Sequence, residues 1–165
     1  MAKKLVLDSK KYYYTFLDDV FYGLGNDIIK QYNWLLADYE CNYYPQNILQ
    51  ENMHHYLWLS ADELSDMILG KGIQFIWGVL LGFPKHIKKE EILKYPLPLS
   101  HINIVNDEII FQNPLCEIEF ISLDSSELYI TSKKDSYIHC FLLRFPESRE
   151  CFHLNKDGDR KKCKD

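Results

Sequence analysis

The chain has no long apolar run, no paired-cysteine motif and no glycine-rich phosphate loop. Its longest uncharged apolar stretch, residues 73–83, is far shorter than the roughly 20 residues of a membrane-spanning helix. The five cysteines include no C-x-x-C pair, which argues against a zinc knuckle and a thioredoxin-like site. Only three apolar residues follow the basic start, so we expect no signal peptide and no membrane contact, and we predict a reducing cytoplasm.

Basic side chains are almost absent from residues 12–70, where Lys30 stands alone against nine carboxylates. The same segment holds nine of the twelve tyrosines and two of the three tryptophans. Its negative charge repels phosphate, so we do not expect nucleic acid to bind there. The segment instead favours a basic protein partner.

The composition is that of a globular protein, with 47% hydrophobic and 26% charged residues in a chain of 165. This length predicts one domain over residues 1–155. The last ten residues, 156–165, contain five bases and three acids, and we expect them to form a polar basic tail without fixed structure.

Hydrophobic periodicity predicts an α+β fold, in which three or four helices pack on a largely antiparallel sheet. Predicted strands cover 4–8, 31–42, 55–59 and 73–83, followed by a meander over 101–131 with strands at 101–105, 108–112, 116–123 and 128–131. The first predicted helix starts at Asp8 or Ser9 and has its apolar positions over 13–24. The other predicted helices cover 60–69, 88–95 and 137–145, the last with Asp135 or Ser136 as its cap. Ser60 and Glu63 have the spacing of a capping box at a helix start.

Strict alternation along the 31–42 strand assigns each residue to one of two faces. Trp34 and Leu36 would share a face with Asp38 and Glu40, while Tyr39 would lie on the opposite face. This arrangement would place the Asp38 and Glu40 carboxylates side by side.

The candidate catalytic groups are few. His54 and His55 are adjacent on a strand and would point to opposite faces, so they do not easily ligate one metal ion. Asp18 and Asp19 are adjacent on a helix and do not share a face, so a solvated surface is favoured over acid–base chemistry. We therefore predict no catalytic residue, no metal site and no cofactor.

The cysteines also favour structural positions. We expect Cys116 and Cys140 to lie in the core because their neighbours are apolar. Nearby acids would disfavour the thiolate of Cys41, which argues against a nucleophile.

Adjacent tyrosines cannot all face one interior, so we expect some rings of the acidic segment to be at the surface. There they would pack on the stems of Lys and Arg while carboxylates meet the charged heads. The predicted partner-binding residues are Asp18, Asp19, Asp38, Tyr39, Glu40, Tyr43, Tyr44, Glu51, Asp62 and Asp66.

Two segments carry a resemblance to a known class of proteins. Ile73-Gln-Phe-Ile-Trp-Gly-Val-Leu-Leu-Gly-Phe-Pro84 and residues 112–126, with Phe145-Pro146 after them, resemble segments of small bacterial immunity proteins. The likeness is one of pattern and covers about residues 55–150. It implies a cytoplasmic antidote of a polymorphic toxin or contact-dependent growth inhibition system. Such a protein inhibits its toxin by covering the active site, without catalysis, and many such toxins are basic nucleases.

Two other functions stay open. The first is a small enzyme that uses His54 or His55 with a nearby carboxylate. The second is a protein-interaction scaffold, for which a homodimer through the aromatic surface is one form.

Overall fold

The computed structural model describes residues 3–8, 15–25, 27–44, 56–101 and 111–150. Its strands are β1 (Lys3–Asp8), β2 (Tyr32–Cys41), β3 (Tyr56–Leu59), β4 (Phe75–Pro84), β5 (Ile118–Leu123), β6 (Glu127–Ser132) and β7 (Arg149–Glu150). Its helices are α1 (Leu17–Leu24), α2 (Asp27–Gln31), α3 (Ala61–Ile68), α4 (Lys89–Ile92) and α5 (Asp135–Arg144).

All seven strands belong to one antiparallel sheet in the order β3-β2-β4-β5-β6-β1-β7. The predicted α+β class is therefore confirmed. The described residues contain five helices rather than three or four. The helix that was not predicted, α2, has five residues, and the strand that was not predicted, β7, has two. Elements this short show no readable period in a sequence.

The charge-free run 73–83 forms most of β4, which lies between β2 and β5. Val79, Leu80, Leu81 and Phe83 are buried, so both faces of this strand are covered.

The larger core lies between the sheet and a layer made of α1, α2, α3 and α5. Trp34 is at its centre and is fully buried. Phe21 of α1 meets Trp34 edge to face at 5.4 Å and also meets Phe120 of β5 at 5.4 Å, both between ring centroids. Val20 and Phe21 of α1 are buried with Trp34 in this core.

The opposite face of the sheet carries a smaller core around Val79, Leu81 and Phe83, which Ile92 of α4 covers. Polar contacts hold the segment after α4 to the sheet. The Gln112 side chain both accepts from Leu99 N (2.8 Å) and donates to Leu99 O (3.0 Å), and Gln112 N donates to Glu119 of β5 (3.0 Å).

Several predictions concern residues outside the described ranges. They include Glu51, His54 and His55, most of the strands expected at 101–105 and 108–112, and the tail at 156–165. The described residues of those two expected strands, 101, 111 and 112, are not in a strand. Within the described ranges, no helix is long and apolar enough to cross a membrane.

Candidate functional site

The exposed carboxylates of α1 and α3 lie in one helical layer. Asp62 and Asp66 are exposed and one turn apart on α3, so they share a face. Asp19 on α1 is exposed, and the half-buried Asp18 accepts a hydrogen bond from Asp19 N at 3.0 Å. Helix α2 contacts both α1 and α3 and adds the exposed Asp27.

These helical carboxylates are poorly neutralised. Lys30 lies 3.9 Å from Asp27, and both side chains are largely exposed. Asp18, Asp19, Asp62 and Asp66 form no ion pair with another described residue. Within the described part of the chain no basic side chain pairs with these four carboxylates, so solvent and counterions screen their charge. This surface therefore attracts cations.

Asp38 does not lie on the face that strict alternation predicts. Between the pairs Ala37–Val79 and Glu40–Trp77, β2 contains one residue more than β4. Asp38 lies in this bulge with φ at +44°, in the left-handed region that aspartate tolerates better than most residues. Because of this extra residue, the side chains after the bulge lie on the faces opposite to those that alternation predicts.

The exchange makes the predicted faces wrong beyond Ala37. Tyr39 and Cys41 pack with Trp34 in the larger core, on the helical side. Glu40 is directly opposite Trp77 of β4, and Asp38 lines a surface depression with Trp77 on the other side of the sheet.

Asp38 has internal partners. Its Oδ2 accepts hydrogen bonds from Ser100 N at 2.6 Å and from Ser100 Oγ at 2.7 Å. His101 Nδ1 is 3.8 Å from the same oxygen, an ion pair when the imidazole is protonated. This carboxylate therefore holds the end of the segment that covers the smaller core.

The three tyrosines predicted to bind a partner differ in exposure. Tyr39 and Tyr44 are half-buried against the larger core, and Tyr44 OH accepts a hydrogen bond from Cys41 N. Burial, with smaller effects of Cys41 and Tyr44, raises the pKa of Tyr39. Tyr43 is 42% exposed, and its hydroxyl donates to Lys71 O. Among these rings, Tyr43 is the most accessible to a partner.

The depression beside Asp38 is open and has a volume of about 390 Å³. Its lining residues are Asp38, Trp77, Ser100, His101, Leu123 and Asp124. Trp77 is 38% exposed although its strand is central in the sheet. The predicted partner-binding residues do not include Trp77 or Asp124. The signal in the sequence was Trp77 beside Gly78 in the charge-free run 73–83, which predicts a strand.

The turn that carries Asp124 is held to the sheet. Asp124 and Ser125 have φ of +48° and +59°. Ser125 N donates to Ile76 O at 2.9 Å, and Ser125 O accepts from Thr15 Oγ1 at 2.9 Å and from Gln74 Nε2 at 3.2 Å. These contacts connect β4, the start of α1 and the β5–β6 turn, so the Asp124 backbone has a fixed position.

The described residues offer little for nucleophilic or metal chemistry. They include no group of three or more His, Cys, Asp or Glu side chains suited to a metal ion. Burial, and secondarily Glu40, raises the pKa of Cys41 to about 12, as predicted in direction. Cys116 is buried as predicted, but Cys140 is exposed on α5. The prediction for Cys140 was wrong because it was based on apolar neighbours, and those neighbours lie on more than one face of a helix.

Comparison of the chain with protein-family models, with curated proteins and with solved structures finds no match. The geometry of the described residues therefore carries the functional argument.

Proposed function

We propose that this chain is a cytoplasmic immunity protein, which binds a cognate basic toxin domain and neutralises it by covering the toxin's active site. The observation that carries the proposal is the set of four carboxylates on α1 and α3, which form no ion pair with another described residue. A complementary basic surface steers association and selects the partner. The resemblance to small immunity proteins supports the same role.

The proposal does not require catalysis by this chain. The enzyme alternative depends on His54 and His55, which lie outside the described residues, and no described contact favours it. It stays a prediction, as does the homodimer.

Growth rescue and affinity test the proposal. We expect coexpression of the chain with the toxin domain from the neighbouring gene to restore growth, and the two proteins to copurify. Asp66→Lys should lower the affinity about tenfold at roughly 0.1 M salt, mostly through slower association, because it places a cation where the partner presents cations. Asp66 is exposed and lies late in α3, where a lysine also suits the helix dipole.

The matched control is Glu90→Lys, an equal change of charge at an exposed helical position on the other face of the sheet. We expect it to leave the affinity within about twofold, since long-range charge effects are screened over about 8–10 Å. The proposal fails if the wild-type chain neither rescues growth nor copurifies with the toxin domain. Equal losses of affinity for the two variants would show that the acidic helical surface, formed by the carboxylates of α1 and α3, does not contact the toxin.

A further inference from the structure

Trp77 is the exposed aromatic side chain of an otherwise buried region of β4. It lies between the half-buried Ile76 and the buried Gly78, and Phe75 and Val79 on either side are also buried. Keeping more than a third of an indole ring in contact with water forgoes part of the hydrophobic stabilisation that burial would provide. Tryptophan in a concave surface is, in contrast, a frequent anchor of protein–protein contacts.

Carboxylates surround this ring. Asp38 and Asp124 line the same depression, and Glu40 lies directly opposite Trp77 in the β2–β4 ladder, which places the two side chains on one face. Both hydrogen bonds that the Asp38 carboxylate accepts from described residues go to Oδ2, so Oδ1 accepts none from this part of the chain. Of the six lining residues, His101 alone can carry a positive charge.

The depression is organised before any ligand arrives. Ser100 fixes the Asp38 carboxylate, and the contacts of Ser125 fix the turn that carries Asp124. Groups held in place by their own structure lose little conformational entropy on binding, which favours even a small ligand group.

We propose that this depression binds an arginine side chain of a protein partner. A guanidinium group stacks its plane on an indole ring and donates several hydrogen bonds to carboxylates, whereas a lysine ammonium is a compact and more strongly hydrated charge. The depression is too open to enclose a free small molecule. Free arginine would also bring its own carboxylate next to Asp38 and Asp124, whereas an arginine within a polypeptide does not.

This site is separate from the acidic helical surface. Trp77 and Asp38 lie on the face of the sheet opposite the helical layer, so the inference does not depend on the toxin or on the proposed function.

A titration followed by NMR tests the proposal. The probe is a short peptide with blocked ends, acetyl-Gly-Arg-Gly-amide, added to the ¹⁵N-labelled full chain to roughly 50 mM, because a single side chain binds in the millimolar range. We expect a saturable shift of the indole N–H signal of Trp77, assigned by its loss in Trp77→Phe. The signal of Trp34, which is fully buried, should stay in place.

Two peptides and two variants make the test specific. The same peptide with citrulline, which is neutral, should cause no saturable shift, and the lysine peptide should bind at least about threefold more weakly. Asp124→Asn keeps a residue that tolerates positive φ and should weaken binding of the arginine peptide at least about threefold. Glu90→Gln, an equal change of charge away from the depression, should not.

A Trp77 signal that does not move at any peptide concentration overturns the proposal. So does a citrulline or lysine peptide that binds as tightly as the arginine peptide, or an Asp124→Asn variant with unchanged affinity. Because the probe is a peptide, these outcomes are independent of whether the chain neutralises a toxin.

Discussion

Gly78 and Gly82 of β4 leave different amounts of space for an added methyl group. We therefore expect them to differ in how well they tolerate substitution by alanine. A Cβ at Gly82 would lie 2.7 Å from Ile118 Cγ2 and 2.9 Å from Trp34 Cζ3, whereas at Gly78 the nearest atom is Tyr39 Cβ at 3.2 Å. Trp34 cannot move aside easily because Phe21 and Phe120 pack against it. Of the two glycines, Gly82 therefore has less space for a side chain.

Gly82→Ala should lower the free energy of unfolding by about 1–3 kcal/mol, the usual cost of overpacking a core. Gly78→Ala is the matched control and should change it by less than about 1 kcal/mol, since the contact is milder and alanine restricts the unfolded chain. Urea denaturation of the two variants measures both values. Equal losses would contradict the predicted role of the Trp34 contact.

The face of the sheet on which Asp38 lies could not be predicted from the sequence. Alternation correctly predicted a strand at 31–42 and the positions of Trp34 and Leu36. It assigned Asp38 and Tyr39 to the wrong faces because β2 has an extra residue at the bulge, where Asp38 has positive φ, and this reverses the faces of the residues that follow. Aspartate in a left-handed conformation is stabilised here by Ser100, a residue 62 positions away, which no local pattern reveals.

At the scale of single elements, α3 is the helix that local sequence describes best. Ser60 Oγ accepts from Glu63 N at 3.3 Å, and Glu63 Oε2 accepts from Ser60 N at 2.7 Å, which confirms the predicted capping box. The hydrogen bonds from the Ser60 backbone and then from its side chain lower the pKa of Glu63. Its contribution to stability is thus fully present above about pH 4.3 and is lost as the pH falls through the lowered pKa.

Ser60→Ala should cost about 1 kcal/mol of unfolding free energy at pH 7, because it leaves Glu63 N at the helix start without its side-chain partner. Ser65→Ala, in the same helix but away from its start, serves as the control and should cost nothing, since alanine is the better helix former there. Thermal and urea unfolding measure the difference. A Ser60→Ala variant as stable as Ser65→Ala would refute the capping contribution.

The bounds of the other elements agree with the local sequence signals to different degrees. Strands β4, β5 and β6 lie close to their predicted ranges, since their apolar runs and turns are local signals. Helix α5 begins at Asp135, two residues before its predicted range, and its N-cap is Lys134. Helix α2 escaped prediction because its two core residues, Ile28 and Ile29, are too few to show a helical period.

At the scale of the whole molecule, a partly buried polar network joins α5 to the start of β2. Tyr32 OH at the start of β2 donates to Glu117 Oε2 at 3.0 Å, and Lys134 Nζ lies 3.3 Å from the same oxygen. Tyr137 of α5 packs edge to face against Tyr32 with ring centroids 6.4 Å apart. Burial, with Tyr137 and then Glu117, raises the pKa of Tyr32, so the phenol stays protonated and able to donate.

Buried thiols predict how the stability of the whole fold depends on alkaline pH. The pKa of Cys41 is raised to about 12, and burial also raises that of Cys116, whereas a thiol in the unfolded chain titrates near pH 8.5. Above that pH the unfolded chain loses protons that the folded chain keeps, so the unfolding free energy should fall as the pH rises from about 8 to 10.

The double variant Cys41→Ala with Cys116→Ala should show a shallower decline over the same range, measured by chemical denaturation at several pH values. Cys140→Ala removes a thiol that is exposed in the fold and should leave the slope as in the wild type. A double variant with an unchanged slope would contradict the assignment of the decline to the buried thiols.

The sequence by itself determined the α+β class, most of the described strands, the start of α3 and the negative charge of the segment 12–70. These features depend on residues a few positions apart, or on composition alone, so the local sequence is enough to predict them. Only the tertiary structure decided that β1 lies between β6 and β7, that the end of β2 reverses its faces, and that Trp77 meets Asp38 and Asp124 in one depression. The physical reason is that strand order, register and exposure depend on packing between residues far apart in the chain.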